Sequence, residues 1–235
     1  MNVIKRDGTA EPLNLDKIHQ MVEFACEDIT GVSSSQVEMN SGLQFFDGIE
    51  SEQIQNILIK SASDLISLDS PNYQFVAARL LLFSVRKQVF PQWNQTGYPK
   101  LKDHVKTCAE VGVYDGGILK KYDDQEWEEL NSYVDHQRCY GFTYAGLRQI
   151  VDKYLVQDRS TGKVYETPQY MYIMVAATLF QDYPKEKRLD YVKRYYTATS
   201  KGKINVPTPV LAGVRTPLRQ FASCVLVDVD DTLDS

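Results

Sequence analysis

The stretch Val3-Ile4-Lys5-Arg6-Asp7-Gly8-Thr9-Ala10-Glu11-Pro12-Leu13-Asn14-Leu15-Asp16-Lys17-Ile18 decides how the chain begins to fold. Two short runs flank Asp7-Gly8, a dipeptide that favours a two-residue hairpin turn because Gly takes positive φ without a Cβ clash. Pro12 has no amide proton, so it ends the second arm or lies on its edge. Asn14 then offers its side-chain oxygen to the free N–H groups of a helix start. Ile18, Met21, Val22, Ala25, Cys26 and Ile29 recur at helical spacing and form one apolar stripe. The reading is a hairpin beside the N-terminus of a first helix.

Further along, Ser33-Ser34-Ser35 caps a second, shorter helix. Ser51 caps a third, with a face of Ile54, Ile57, Leu58, Ala62, Leu65 and Ile66. Ser70-Pro71 announces a fourth, from Tyr73 to about Val89, since Pro at a helix start loses no hydrogen bond. Residues 1–92 thus read as a four-helix unit with a hairpin lid. Phe90 to Pro99 carries Pro91, Gly97 and Pro99 and reads as a linker. Asp123 with Glu126 has capping-box spacing. Phe142 to Leu155 reads as helix, Val156 to Tyr165 as a second hairpin turning near Gly162, and Thr167-Pro168 and Pro184 as two further helix starts, the last helix ending near Ser200. An apolar, strand-like run around Cys224 is followed by an acidic helix-start signal at Asp231. The fold class is mainly α. No internal repeat is visible.

A chain of 235 residues with 43% hydrophobic residues holds one or two domains with an ample core. Its net charge of −5 argues against a general nucleic-acid binder. No apolar run approaches the roughly 20 residues that span a membrane, and the N-terminus lacks a signal-peptide pattern. Cys26, Cys108, Cys139 and Cys224 show no C-x-x-C spacing, so neither a zinc site nor a disulfide framework is expected, and a reducing cytoplasm fits best. His19, His104 and His136 are isolated, and no metal ligands are expected.

Lys5 and Arg6 lie on the hairpin, Lys17 starts the first helix, and Lys60 and Lys87 lie on the third and fourth. Single lysines are usually solvated. Here the lid can gather Lys5 and Lys17 at a helix N-terminus, where free N–H groups and the helix dipole favour an anion. Such a set suits a triphosphate.

Lys5-Arg6-Asp7-Gly8, Asn14-Leu15-Asp16-Lys17-Ile18, Ala77-Ala78-Arg79-Leu80 and Arg86-Lys87 together resemble the ATP-cone of ribonucleotide reductases. The resemblance implies an activity site where ATP activates and dATP inhibits. Lys5, Lys17 and Lys87 would hold phosphates. Arg6 would lie beside them, and Glu11, Pro12, Leu13, Asn14, Leu15, Asp16 and Lys17 would form the wall around base and ribose. Ser51 stands where the family commonly has Thr, and Gln55 where bacterial relatives carry His. Magnesium would accompany the nucleotide.

The stretches Tyr165-Glu166-Thr167-Pro168-Gln169, Tyr191-Val192-Lys193-Arg194, Thr208 to Pro217 and Arg219 to Val225 are similar to class Ia large subunits of the bacterial and phage type. That similarity implies an ATP-cone at 1–92, a helical domain at 93–203, and at 204–235 the first strands of an incomplete ten-stranded α/β barrel. It implies that Cys224 is one of a redox pair reducing the ribose C2′, with Thr208 and Ser223 contacting substrate. Asp231, Thr232 and Leu233 would begin the specificity site, where a dNTP effector selects the substrate base. The second redox cysteine, the radical cysteine and the radical-transfer tyrosines are expected beyond Ser235, in a chain that is either shortened or one part of a split large subunit. Expected partners are that remainder, a small subunit with a di-iron tyrosyl radical, thioredoxin or glutaredoxin, NDP substrates and dNTP effectors. The competing expectation is a stand-alone ATP-cone sensor regulating another protein. Sensors of that kind carry a Cys-rich zinc ribbon, which is absent here.

Overall fold

The computed structural model describes residues 1–42 and 44–227. They pack as two units, Met1–Lys100 with Val134–Tyr170, and Leu101–Tyr133 with Met171–Ser235.

The first unit opens with β1 (Asn2–Ile4) and β2 (Ala10–Pro12), paired antiparallel with Val3 opposite Glu11. The turn is wider than the expected two residues. Lys5 donates its N–H to the Thr9 carbonyl at 2.8 Å and Gly8 to the Lys5 carbonyl at 2.9 Å. Gly8 supplies the left-handed position at φ 83°. Asp7 Oδ1 accepts from the Thr9 amide (3.0 Å) and hydroxyl (2.7 Å), which stiffens the loop. A third strand, β3 (Ile49–Glu50), pairs parallel with β1 and makes the sheet order β2-β1-β3.

Helix α1 (Leu15–Cys26) starts at Asn14, whose Oδ1 accepts from the Lys17 amide at 3.0 Å, as the sequence implies. Helix α2 (Ser34–Gly42) begins within the serine cluster. Helix α3 (Ser51–Asp64) is capped by Glu50 rather than Ser51. Glu50 and Gln53 form a capping box, so Ser51 becomes the first helical residue. Helix α4 (Tyr73–Val89) buries the consecutive residues Val76 to Phe83 apart from the half-buried Arg79. Burial on most of its circumference marks a central helix. It packs on α1 and α3, on α8 (Tyr144–Gln149) and on the 3₁₀ turn His136–Gly141.

Residues read as a linker hold a one-turn helix, α5 (Trp93–Thr96). The helix expected from Phe142 to Leu155 is α8 followed by a π-helical turn at Ile150–Tyr154. The second hairpin reduces to one bridge, Gln157 with Val164, beyond a loop in which Gly162 sits at φ 72°. Asp158 accepts from the Ser160 amide and hydroxyl, and these local bonds replace a ladder.

In the second unit α6 (Leu101–Glu110) packs on α7 (Asp124–Tyr133), and α7 on α10 (Lys185–Ser200). Helix α9 (Pro168–Phe180) is buried throughout Met171 to Ala177. The approach to the expected barrel is helical at α11 (Thr208–Gly213). Arg215 holds it in place, donating to the Leu211 carbonyl while its own carbonyl accepts from the Asp115 amide at 2.9 Å. The expected strand around Cys224 is not formed among the described residues. Arg219 to Val227 is exposed, without ladder partners, and a strand needs such partners to satisfy its backbone. Asp231, Thr232 and Leu233 lie outside the described residues.

Candidate functional site

A cavity of about 570 Å³ lies in the first unit. The hairpin, α1 from Lys17 to Phe24, the start of α3, the end of α4 and Trp93 form its walls. Lys5 reaches it from beside β1, Lys17 from the first turn of α1 and Lys87 from the last turn of α4. Lys5 Nζ lies 2.7 Å from Glu11 and Lys17 Nζ lies 3.9 Å from the same carboxylate. The Lys5 hydrogen bond holds the Glu11 carboxyl below the ordinary glutamate range. Burial by the walls, then Arg6, Lys5 and Lys17, lower the pKa of Lys87. Four cations therefore act on one small region, and an anion there would relieve their repulsion.

Nine of the activity-site residues expected from sequence line this cavity: Lys5, Glu11, Pro12, Leu13, Asn14, Lys17, Ser51, Gln55 and Lys87. Leu15 and Asp16 join the Glu11–Lys17 segment along an adjoining groove. Arg6 lines neither space. Its Nε lies 3.9 Å from Glu52, and it acts on the site through its charge on Lys87. Gln55 is only 3% exposed. Its Nε2 donates to the Leu80 carbonyl at 2.9 Å, which fixes the amide and leaves its oxygen as the group open to a ligand.

The same cavity is lined by apolar side chains, among them Ile18, Met21, Phe24, Ile54, Phe83 and Trp93. Phe24 and Phe83 have ring centroids 5.6 Å apart. Cations and aromatic rings lining one cavity suit a ligand with a polyanionic tail and a flat head. The aromatic wall is absent from the expected set. Its one sequence signal is Phe24, which falls off the apolar stripe of α1 and is 46% exposed. Trp93 sits in a segment whose Pro and Gly content hides its role.

Of the residues expected to serve catalysis, Ser223 and Cys224 are in contact, the Ser223 hydroxyl lying 3.7 Å from the Cys224 sulfur. Thr208 begins α11, while Ser223 and Cys224 lie in the exposed run. None of the four cysteines forms a disulfide among the described residues. Burial raises Cys26 and Cys139 to about 11, so both stay protonated near neutrality. No cluster of metal-binding side chains occurs among the described residues. No described helix is long and apolar enough to cross a membrane.

Comparison with known proteins agrees with both parts of the chain. Residues 1–88 match the family described as "ATP cone domain", so the cavity-bearing unit begins as an ATP cone. Residues 140–219 match "Ribonucleotide reductase, all-alpha domain". The chain is 51% identical over 233 residues to the ribonucleoside-diphosphate reductase subunit alpha of Haemophilus influenzae, covering 99% of this chain and 30% of that protein. It is 50% identical to the Escherichia coli ribonucleoside-diphosphate reductase 1 subunit alpha, with the same coverage. Identity to the Enterobacteria phage T4 subunit alpha is 40% over 237 residues, covering 100% of this chain and 30% of that protein. The chain belongs to the ribonucleotide reductase large-subunit family and spans about 30% of the length of the curated relatives it matches. A reductase domain following the cone disfavours the stand-alone sensor.

Proposed function

We propose that the cavity is an allosteric site for ATP and dATP, and that the chain supplies the regulatory N-terminal part of a class Ia large subunit reducing NDPs to dNDPs. The observation that carries this is that Lys5, Lys17 and Lys87 line one cavity beside the capped N-terminus of α1, together with the rings of Phe24, Phe83 and Trp93. The lysines and the free amides of α1 take the phosphates, and the apolar side takes the base. Magnesium arrives with the nucleotide. Glu11, the one carboxylate lining the cavity, is already paired with Lys5 and Lys17.

The remaining roles rest on the family. Cys224 is assigned as one thiol of the redox pair, Thr208 and Ser223 as substrate contacts, and Asp231, Thr232 and Leu233 as part of the specificity site. The modules proposed are the cone at 1–92, a helical domain at 93–203 and the start of the catalytic barrel at 204–235. The proposed partners are the rest of the large subunit, a small subunit carrying the di-iron tyrosyl radical, thioredoxin or glutaredoxin, NDPs and dNTP effectors, in the cytoplasm.

Calorimetric titration of the chain with ATP and dATP tests the site. Binding is expected, weakened roughly 10- to 100-fold by Lys87→Ala, the usual worth of a charge-assisted contact. Failure of the chain to bind either nucleotide overturns the assignment.

A further inference from the structure

Arg86 is an unusual neighbour for the cavity. It follows from the helical register of α4 that Arg86 points away from Lys87, and the side chain is only 2% exposed. A buried guanidinium normally has a carboxylate partner, because an unpaired charge is costly in a poorly solvated site. Arg86 has no ion pair among the described residues, and its Nε has no hydrogen-bond partner. What surrounds it is aromatic. Its guanidinium carbon lies 5.1 Å from the Trp93 ring centroid, 5.7 Å from Tyr98, 5.0 Å from Tyr140 and 6.0 Å from Phe83. One nitrogen donates to the Tyr140 hydroxyl at 2.8 Å.

Two of those rings, Trp93 and Phe83, also line the cavity. Trp93 belongs to a single helical turn between Pro91 and Gly97, which has little intrinsic stability. Its position has to come from its contacts. These are Arg86 and the Tyr98 ring, centroids 5.8 Å apart. Tyr98 in turn stacks on His136 at 3.4 Å.

We propose that Trp93 is a ligand-contacting residue of the nucleotide site and that Arg86 is the positioning residue that holds the indole in the cavity wall. This rests on the reading of the cavity as a nucleoside-triphosphate site and adds to it a residue from outside the helical bundle. Arg86 replaces an ion pair with ring quadrupoles, so the attraction that stabilises the charge also fixes Trp93. Seating a base against Trp93 then restrains the same cage, which includes Tyr140 from the 3₁₀ turn at His136–Gly141 of that unit.

The test uses the full chain with Mg-ATP, reading affinity by calorimetry and the environment of Trp93 by fluorescence. ATP is expected to change tryptophan emission in the wild type, and the change is absent in Trp93→Phe. Trp93→Ala weakens ATP roughly tenfold, within the range of one stacked or cation–π contact. Arg86→Gln weakens ATP similarly, Arg86→Lys recovers part of the loss, and the Arg86→Gln/Trp93→Ala double variant is no weaker than the worse single one. Full additivity of the two changes would overturn the positioning role, as would unchanged affinity in Arg86→Gln. Unaltered ATP affinity in Trp93→Ala, with Lys87→Ala still impaired, would overturn the contact role while leaving the nucleotide site standing. If the wild type binds no ATP, both the reading and the inference fall. A melting curve for each variant separates lost affinity from lost fold.

Discussion

Lys87 shows at the level of one residue how the cavity's surroundings act on a charged group. Burial by the walls and the charges of Arg6, Lys5 and Lys17 lower its pKa. The folded chain therefore holds this proton less tightly than the unfolded chain. Lys87 subtracts stability at neutral pH, and the penalty is relieved as pH rises through its lowered pKa toward the ordinary lysine value. A bound triphosphate reverses the balance, because an anion beside the ammonium favours the charged form. ATP binding at alkaline pH is then expected to draw a proton onto Lys87. Titrations in two buffers of different ionisation enthalpy show this as proton uptake. The uptake is lost in Lys87→Met, and an equal uptake in that variant assigns the proton to another group. ATP affinity itself falls with rising pH once Lys87 discharges, since the site loses one of its phosphate-facing cations.

At the scale of elements, the second unit depends on one carboxylate that joins two helices. Glu126 sits in the first turn of α7 and accepts from the Asp123 amide, while Asp123 accepts from the Glu126 amide, each at 2.9 Å. Arg188 of α10 donates its Nε to Glu126 Oε1 at 2.7 Å and a second nitrogen to Oε2. Burial pushes the Glu126 pKa up, but the Arg188 bond and the Asp123 amide outweigh it, and the net shift is downward. Its contribution is therefore present above the unfolded glutamate pKa and is lost as pH falls through the folded one. Glu126→Gln leaves Arg188 buried beside a neutral amide and is expected to destabilise this unit by about 3 kcal/mol. Melting curves from neutral to acid pH check it: the variant melts lower at neutral pH and loses less on acidification. A parallel pH dependence in both proteins would remove Glu126 as the titrating group. This capping box is legible in the sequence, as are Gly8 and the Asn14 cap, because each is settled within a few residues. Strand β3 is not legible. It is two residues long, and Ile49 is held by a partner 46 positions earlier, Val3. Trp93 and the π turn after α8 are hidden for the same reason, since distant packing decides them. The cationic half of the cavity could be read from lysines near a helix start. Its aromatic half needed the fold, because Phe24, Phe83 and Trp93 come from three separate elements.

At the scale of the whole molecule, the chemistry proposed for the family sets a requirement on electrons. Reducing C2′ of a ribonucleotide takes two electrons, which two thiols supply by becoming a disulfide. Cys224 offers one exposed thiol. A disulfide needs a partner with its Cα about 5.5–6 Å away. Cys26 and Cys139 are poor candidates, because burial keeps both thiols protonated and the thiolate is the reactive form. Cys108 is also buried, with its sulfur 3.6 Å from His104 Nε2 on the same helix. On the proposed reading the second thiol belongs to the part of a large subunit outside the 30% that this chain matches. The chain alone is expected to bind nucleotide without turning over NDPs. Mixed with the remaining part of a large subunit and a radical-bearing small subunit, it is expected to reduce NDPs with a dithiol reductant. In that mixture Cys224→Ser abolishes multiple turnovers and leaves ATP binding by the cone intact. Undiminished turnover of Cys224→Ser would show that the redox pair lies elsewhere. Loss of both activities would point instead to a folding defect, which the ATP titration of the isolated variant detects.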